Sequence, residues 1–143
     1  MIITETWLHN GDEMDRAMDF LMGEGGIQSI NKMRRTRGGG VSILYRPNVI
    51  EMKEYRFKRN NHEQVAAQGK LKENKRSIFV IGAYAQPSMK TEPQASFMET
   101  ISDVITKYKS EHVNPLVIIA GDINNFTTSH LTNKHPTLSL IHI

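Results

Sequence analysis

Two strongly apolar stretches constrain this chain more than any other feature: Ile78-Phe79-Val80-Ile81-Gly82-Ala83-Tyr84 and Leu116-Val117-Ile118-Ile119-Ala120. Side chains along a strand alternate between its two faces, so a strand apolar on both faces must be covered on both. Each stretch therefore reads as a buried strand, the first one central. Between them, residues 93–109 carry Phe97, Ile101, Val104, Ile105 and Tyr108 on one stripe at helical spacing. Pro93 suits the first turn of that helix, and Lys107 and Lys109 suit its negative end.

The remaining segments fill in a layered fold. Residues 1–8 begin apolar and β-branched and read as the end of a buried strand, and residues 12–22 space their apolar side chains as a short helix ended by glycines 23, 25 and 26. A basic loop at residues 31–37 closes on Gly38-Gly39-Gly40. Residues 41–46 and 49–57 alternate like strands, 64–71 do so weakly, and a turn-rich stretch separates the last from residues 77–84. The expected class is α/β (α+β): a sandwich of packed, mixed β-sheets with helices outside, as opposed to a Rossmann alternation.

A length of 143 residues suits one domain. With 38% hydrophobic and 23% charged residues, the chain is neither a solvated tail nor a membrane protein, and no apolar run approaches the ~18 residues of a bilayer-spanning helix. The absence of cysteine excludes disulfides, thiolate zinc sites and cysteine nucleophiles. Met1-Ile2-Ile3 meets polar Thr4-Glu5 without a basic run, unlike a secretory leader. A soluble, intracellular chain is expected. The net charge of +3 permits a phosphate-bearing partner without requiring one.

Oxygen-bearing side chains gather where apolar strands end. Glu5 follows one such strand, Tyr84 ends another, and Asp122 with Asn124 follows a third. Carboxylate and amide oxygens on neighbouring strand ends suit a hard cation such as Mg²⁺ (or Mn²⁺), which polarises a phosphoryl oxygen and helps ionise water. Spacing alone leaves the plainer alternative open, in which Glu5 is a cap and Gly121-Asp122-Ile123-Asn124 a turn.

Four segments then occur in order: Thr4-Glu5-Thr6-Trp7-Leu8, Arg37-Gly38-Gly39-Gly40-Val41-Ser42-Ile43, Ile81-Gly82-Ala83-Tyr84-Ala85-Gln86-Pro87 and Ile119-Ala120-Gly121-Asp122-Ile123-Asn124. Together they resemble the endonuclease/exonuclease/phosphatase superfamily with its deoxyribonuclease-like fold, nearest to the endonuclease domains of non-LTR retrotransposons. The resemblance implies a four-layer sandwich and a Mg²⁺-dependent phosphodiester hydrolase that nicks DNA, in a nuclear setting if the gene derives from a retroelement. It implies that Glu5 holds the metal, that Tyr84 contacts the scissile phosphate, that Asp122 positions or deprotonates the attacking water, and that Asn124 orients phosphate and nucleophile.

The chain also departs from that pattern. The superfamily begins one strand earlier, with an asparagine that shares the metal, and ends with a serine-aspartate-histidine segment. Here Thr127-Thr128-Ser129-His130 and a short tail follow Asn124, and His130, His135 and His142 fall outside the motif. The expectation is a partial domain over residues 1–126, truncated at both ends, with 127–143 an unmatched, run-off or disordered tail. The corresponding rival is an inactive remnant or binding module; a nearer one is a relative that hydrolyses RNA, inositol phosphates or sphingolipids. Arg34, Arg35 and Arg37 read as a solvated loop able to touch a phosphate backbone. Trp7 reads as core, and the eight methionines as gap-fillers. DNA is the expected partner and a membrane is not; oligomeric state is open.

Overall fold

The computed structural model describes residues 1–4, 6, 13, 16–17, 19–20, 26–32, 40–57, 63–85, 91–123, 133–135 and 139–142, with backbone alone for 91–94 and 139–142. Among these residues, eight strands form two sheets. The smaller sheet holds β1 (Ile2–Thr4), β2 (Gln28–Lys32) and β3 (Val41–Tyr45) in the order β1-β3-β2, all antiparallel. The larger is β4-β5-β6-β7-β8, from β4 (Ile50–Tyr55), β5 (Glu63–Leu71), β6 (Ser77–Tyr84), β7 (Leu116–Asp122) and β8 (Ser139–His142). β4, β5 and β6 run antiparallel, whereas β6, β7 and β8 run parallel. Helix α1 (Thr91–Glu111) is the crossover that lets β7 return parallel to β6.

The apolar stretches do what two-sided burial demands. On β6, Phe79, Ile81 and Ala83 face α1, while Ile78, Val80 and Tyr84 face the smaller sheet. On β7, Val117 and Ile119 face the helix, and Leu116 and Ile118 face the other sheet. The stripe on α1 closes the first core: Phe97, Ile101, Ile105 and Tyr108 are buried there, with Val104 packed against them. Val41, Ile43, Val65, Ala67 and Val80 make the second core, between the sheets. The sheets approach so closely at Gly82 that a Cβ on it would sit 2.8 Å from Val41 Cγ1.

Three local differences from the sequence reading have physical causes. Asn31 and Lys32 belong to β2 instead of a loop; only Ile30 of that strand packs into the inter-sheet core, so its alternation is faint. β7 continues through Gly121 and Asp122, where a break was expected, because both stay in register with Ala83 and Tyr84 of β6. Residues 139–142, expected as part of an unmatched tail, pair with β7 as an edge strand. Residues 13, 16, 17, 19 and 20 are helical, inside the helix expected over 12–22. No described helix is long and apolar enough to cross a membrane.

An aromatic ladder locks the far end of α1 to the sheet. Phe79 stacks on Tyr108 (centroids 4.4 Å) and Tyr108 on His112 (4.0 Å), while Tyr55 meets Phe79 edge-on at 5.1 Å. The Tyr108 hydroxyl donates to the Ile78 carbonyl at 3.0 Å. Tyr108→Phe leaves that buried carbonyl without its donor and is expected to cost about 1–3 kcal/mol in urea unfolding at neutral pH. Burial pushes the Tyr108 phenol above its ordinary 10.0, partly offset by a hydrogen bond with Ser77. The folded state thus favours the neutral phenol. That stabilisation is complete below pH 10 and is lost as pH rises through the raised folded value. Unfolding curves at rising alkaline pH should show the decline in the parent chain and a shallower one in Tyr108→Phe.

Candidate active site

The parallel pairing of β6 with β7 brings two expected site residues together. Tyr84 and Asp122 are register partners at the C-terminal ends of these strands, about one strand spacing (~4.8 Å) apart. The alternation that sends Val117, Ile119 and Ile123 toward α1 sends Asp122 to the opposite face, toward the smaller sheet. Tyr84 lies on the same face, its ring part of the inter-sheet core at 7% exposure, so packing fixes its orientation. Asp122 is less buried than Tyr84. Its carbonyl accepts the Ala85 N–H at 2.9 Å, which carries the pairing one residue beyond β6.

Gly121 makes this junction possible. Its φ of +148° lies outside the range that side-chain-bearing residues favour, and a Cβ there would overlap the Ala83 carbonyl oxygen. The sequence reading took Gly121 as the start of a turn; its role is to let β7 press against β6 one step further and deliver Asp122 beside Tyr84.

A third residue joins the row, one that sequence reasoning missed. Glu63 opens β5 and is the register partner of Tyr84 from the other side. Val65 and Ala67, at the same phase of β5, face the smaller sheet, whereas Gln64 turns to the helix side and donates to the Phe97 carbonyl at 3.2 Å. Glu63 accordingly faces the smaller sheet, and its Oε2 accepts the Gly40 N–H at 3.0 Å. The available signal was phase: a carboxylate two residues before Val65 and four before Ala67 sits on the face that those residues bury. Thr6 completes the edge, its N–H donating to the Gly40 carbonyl at 3.4 Å.

Glu5 and Asn124, the other two expected site residues, lie outside the described residues. So does His130, while His135 packs against Ser102 of α1 at 3.2 Å, on the helix side and away from the face of Asp122. Among the described residues, no three His, Asp or Glu side chains gather into a metal-holding group. The donors that face this edge are all oxygens, the Asp122 carboxylate, the Tyr84 phenol and the Thr6 hydroxyl, while the Glu63 carboxylate is engaged with the Gly40 N–H. Their chemistry fits a hard cation that takes one or two carboxylates and keeps several waters.

The same architecture recurs among solved structures. The chain is similar to truncated TDP2 from Caenorhabditis elegans (TM-score 0.60, 11% identity, 87% of this chain and 49% of that one). D. rerio TDP2 complexed with single strand DNA product also matches (0.55, 12%, 93% and 50%). So do the human Nocturnin catalytic domain with bound sulfate anion (0.59, 14%, 94% and 55%) and the endonuclease domain of TRAS1, a telomere-specific non-LTR retrotransposon (0.51, 18%, 72% and 43%). No family model and no curated protein matches the sequence. At such identities the likeness is one of fold: the chain carries the deoxyribonuclease-like fold that these structures share. It spans about half the length of the solved chains it matches.

The placement of Asp122 depends on a glycine at position 121. Gly121→Ala is expected to lower stability by more than about 1 kcal/mol in urea unfolding. It should also shift the amide resonances of Ala83, Ala85 and Asp122, where β7 is forced off β6. Unchanged stability and resonances would mean that Gly121 does not set this junction.

Proposed function

We propose that this chain is part of a divalent-metal-dependent phosphodiesterase domain whose parent activity is endonucleolytic nicking of DNA. The observation that carries the reading is the pairing of Tyr84 with Asp122 on one face, at the ends of parallel strands, in a fold shared with a retrotransposon endonuclease domain. Open sheets commonly place reactive groups at the carboxyl ends of parallel strands. A TDP2 structure complexed with a single strand DNA product supports nucleic acid as the substrate class, and a Nocturnin catalytic domain with a bound sulfate anion is in keeping with a fold that takes tetrahedral anions.

In this reading Glu5, aided by Asp122, holds a Mg²⁺ or Mn²⁺ ion, which would supply charge stabilisation at the phosphoryl oxygen and ease ionisation of water. Asp122 orients the attacking water and accepts its proton as the water oxygen bonds to phosphorus. The bond from phosphorus to the leaving sugar oxygen breaks, and that oxygen takes up a proton from solvent. Tyr84 donates its phenolic hydrogen to a non-bridging phosphate oxygen, from a ring that packing has already oriented. Asn124 offers its amide N–H groups to the phosphate as charge builds there. The basic residues 34, 35 and 37 hold the flanking backbone.

A second reading is a binding scaffold that holds nucleic acid without turnover. Supercoiled plasmid separates the two. The chain is expected to nick it weakly with Mg²⁺ and not at all with EDTA, and Asp122→Ala should lower the rate at least ~10²-fold, the usual cost of one group acting at the reacting phosphate. Salt-dependent DNA binding without nicking would support the scaffold. Nicking that survives Asp122→Ala would place the chemistry elsewhere.

A further inference from the structure

The two sheets meet across apolar side chains, Ile2, Val41 and Ile43 on one side and Val65, Ala67 and Val80 on the other. Such contacts are non-directional and set the spacing of the sheets more firmly than their lateral alignment. The proposed site straddles that boundary. Asp122 and Tyr84 belong to the larger sheet, whereas Thr4 and Thr6, which flank Glu5 in sequence, belong to the smaller one or hydrogen-bond to its end. Something directional has to hold the two halves in register at this edge.

We infer that Glu63 is a positioning residue that clamps the segment bearing Glu5 to the strands bearing Tyr84 and Asp122. The proposal rests on the reading of the site as a cation-dependent phosphodiesterase centre. Glu63 is fixed to the larger sheet by its pairing with Tyr84, and its Oε2 crosses to the smaller sheet to accept the Gly40 N–H at 3.0 Å. Gly40 in turn accepts from the Thr6 N–H at 3.4 Å. A run of polar links and register partners therefore leads from Thr6 through Gly40, Glu63 and Tyr84 to Asp122.

Gly40 is shaped for this junction. Its φ of +94° is a conformation that glycine adopts readily, and a Cβ there would come within 2.5 Å of Thr6 Oγ1. Both neighbours can therefore close on its backbone. A carboxylate acceptor makes the bond to its N–H charge-assisted and stronger than a neutral one. It also accounts for a charged residue at a phase of β5 where Val65 and Ala67 are buried, because a carboxylate turned inward is costly unless hydrogen-bonded.

The clamp predicts a split among three variants of the full 143-residue chain. Glu63→Gln keeps an oxygen that can accept from Gly40, Glu63→Asp keeps the charge but falls one methylene short, and Glu63→Ala loses both. Two readouts apply: hydrogen exchange at the Gly40 amide, followed by NMR, and Mn²⁺ affinity, followed by electron paramagnetic resonance. In Glu63→Ala and Glu63→Asp the Gly40 amide should lose protection and the Mn²⁺ dissociation constant should rise about tenfold or more, as when a ligand's supporting hydrogen bond is removed. Glu63→Gln should stay near the parent in both. Glu63→Gln falling as far as Glu63→Ala, or Glu63→Asp matching the parent, would overturn the clamp in favour of a role for the charge itself. If Glu63→Ala does not fold, the Gln and Asp variants decide. A parent chain with no Mn²⁺ binding sensitive to Asp122→Ala would sink the proposed function instead, while Gly40 exchange would still settle whether the clamp exists.

Discussion

The burial of β6 on both faces is the constraint on which the rest of the structure depends. One face needs α1 and the other needs the smaller sheet, so a single strand fixes three described layers. Its central place then follows, with β5 antiparallel on one side and β7 parallel on the other. The parallel neighbour needs a long crossover, and the helix that provides it also supplies the apolar stripe that the outer face requires. One apolar stretch thereby accounts for both the layering and the connection.

The pairing of Tyr84 with Asp122 is a consequence of that arrangement. Parallel strands present their carboxyl ends at the same edge, so Tyr84 and Asp122 arrive together with no turn to separate them. The strict alternation that fills the helix-side core leaves Tyr84 and Asp122 on the opposite face, at the rim where the two sheets meet. The fold is the one seen in TDP2, Nocturnin and the TRAS1 endonuclease domain, over about half the length of those chains. Packing thus fixes the orientation of the Tyr84 phenol, and under the proposed function that is the condition for a donor that stabilises a transition state without reorganising.

The edge also joins two sheets of different character. The larger is mixed and covered on one face by a helix, while the smaller is antiparallel and short-stranded. Apolar packing between them is strong and poorly aligned by itself. The polar links through Gly40, from Thr6 on one side and to Glu63 on the other, lie at the end of the sandwich where alignment bears on Tyr84 and Asp122.

Much of this was legible from residue types and spacing alone. The strands at 41–46, 49–57 and 77–84, the helix at 93–109 with its stripe, and the two-sided burial of β6 follow from local periodicity, because burial on a regular element leaves a periodic trace. Tyr84 and Asp122 stand out in the sequence because each lies at the end of an apolar run, and the structure makes them register partners. What the sequence could not settle was how segments far apart in the chain would pair. β2 was hidden, since one apolar side chain at Ile30 makes no pattern, and β7 ran past an apparent turn because the space beside Ala83 admits a glycine at 121. Glu63 carries no local mark of its place: it became part of the edge only when β5 paired with β6 and Gly40 arrived from the other sheet. Apolar patterning is written residue by residue, whereas register and cross-sheet hydrogen bonds exist only after distant strands have met, and that meeting decided the site.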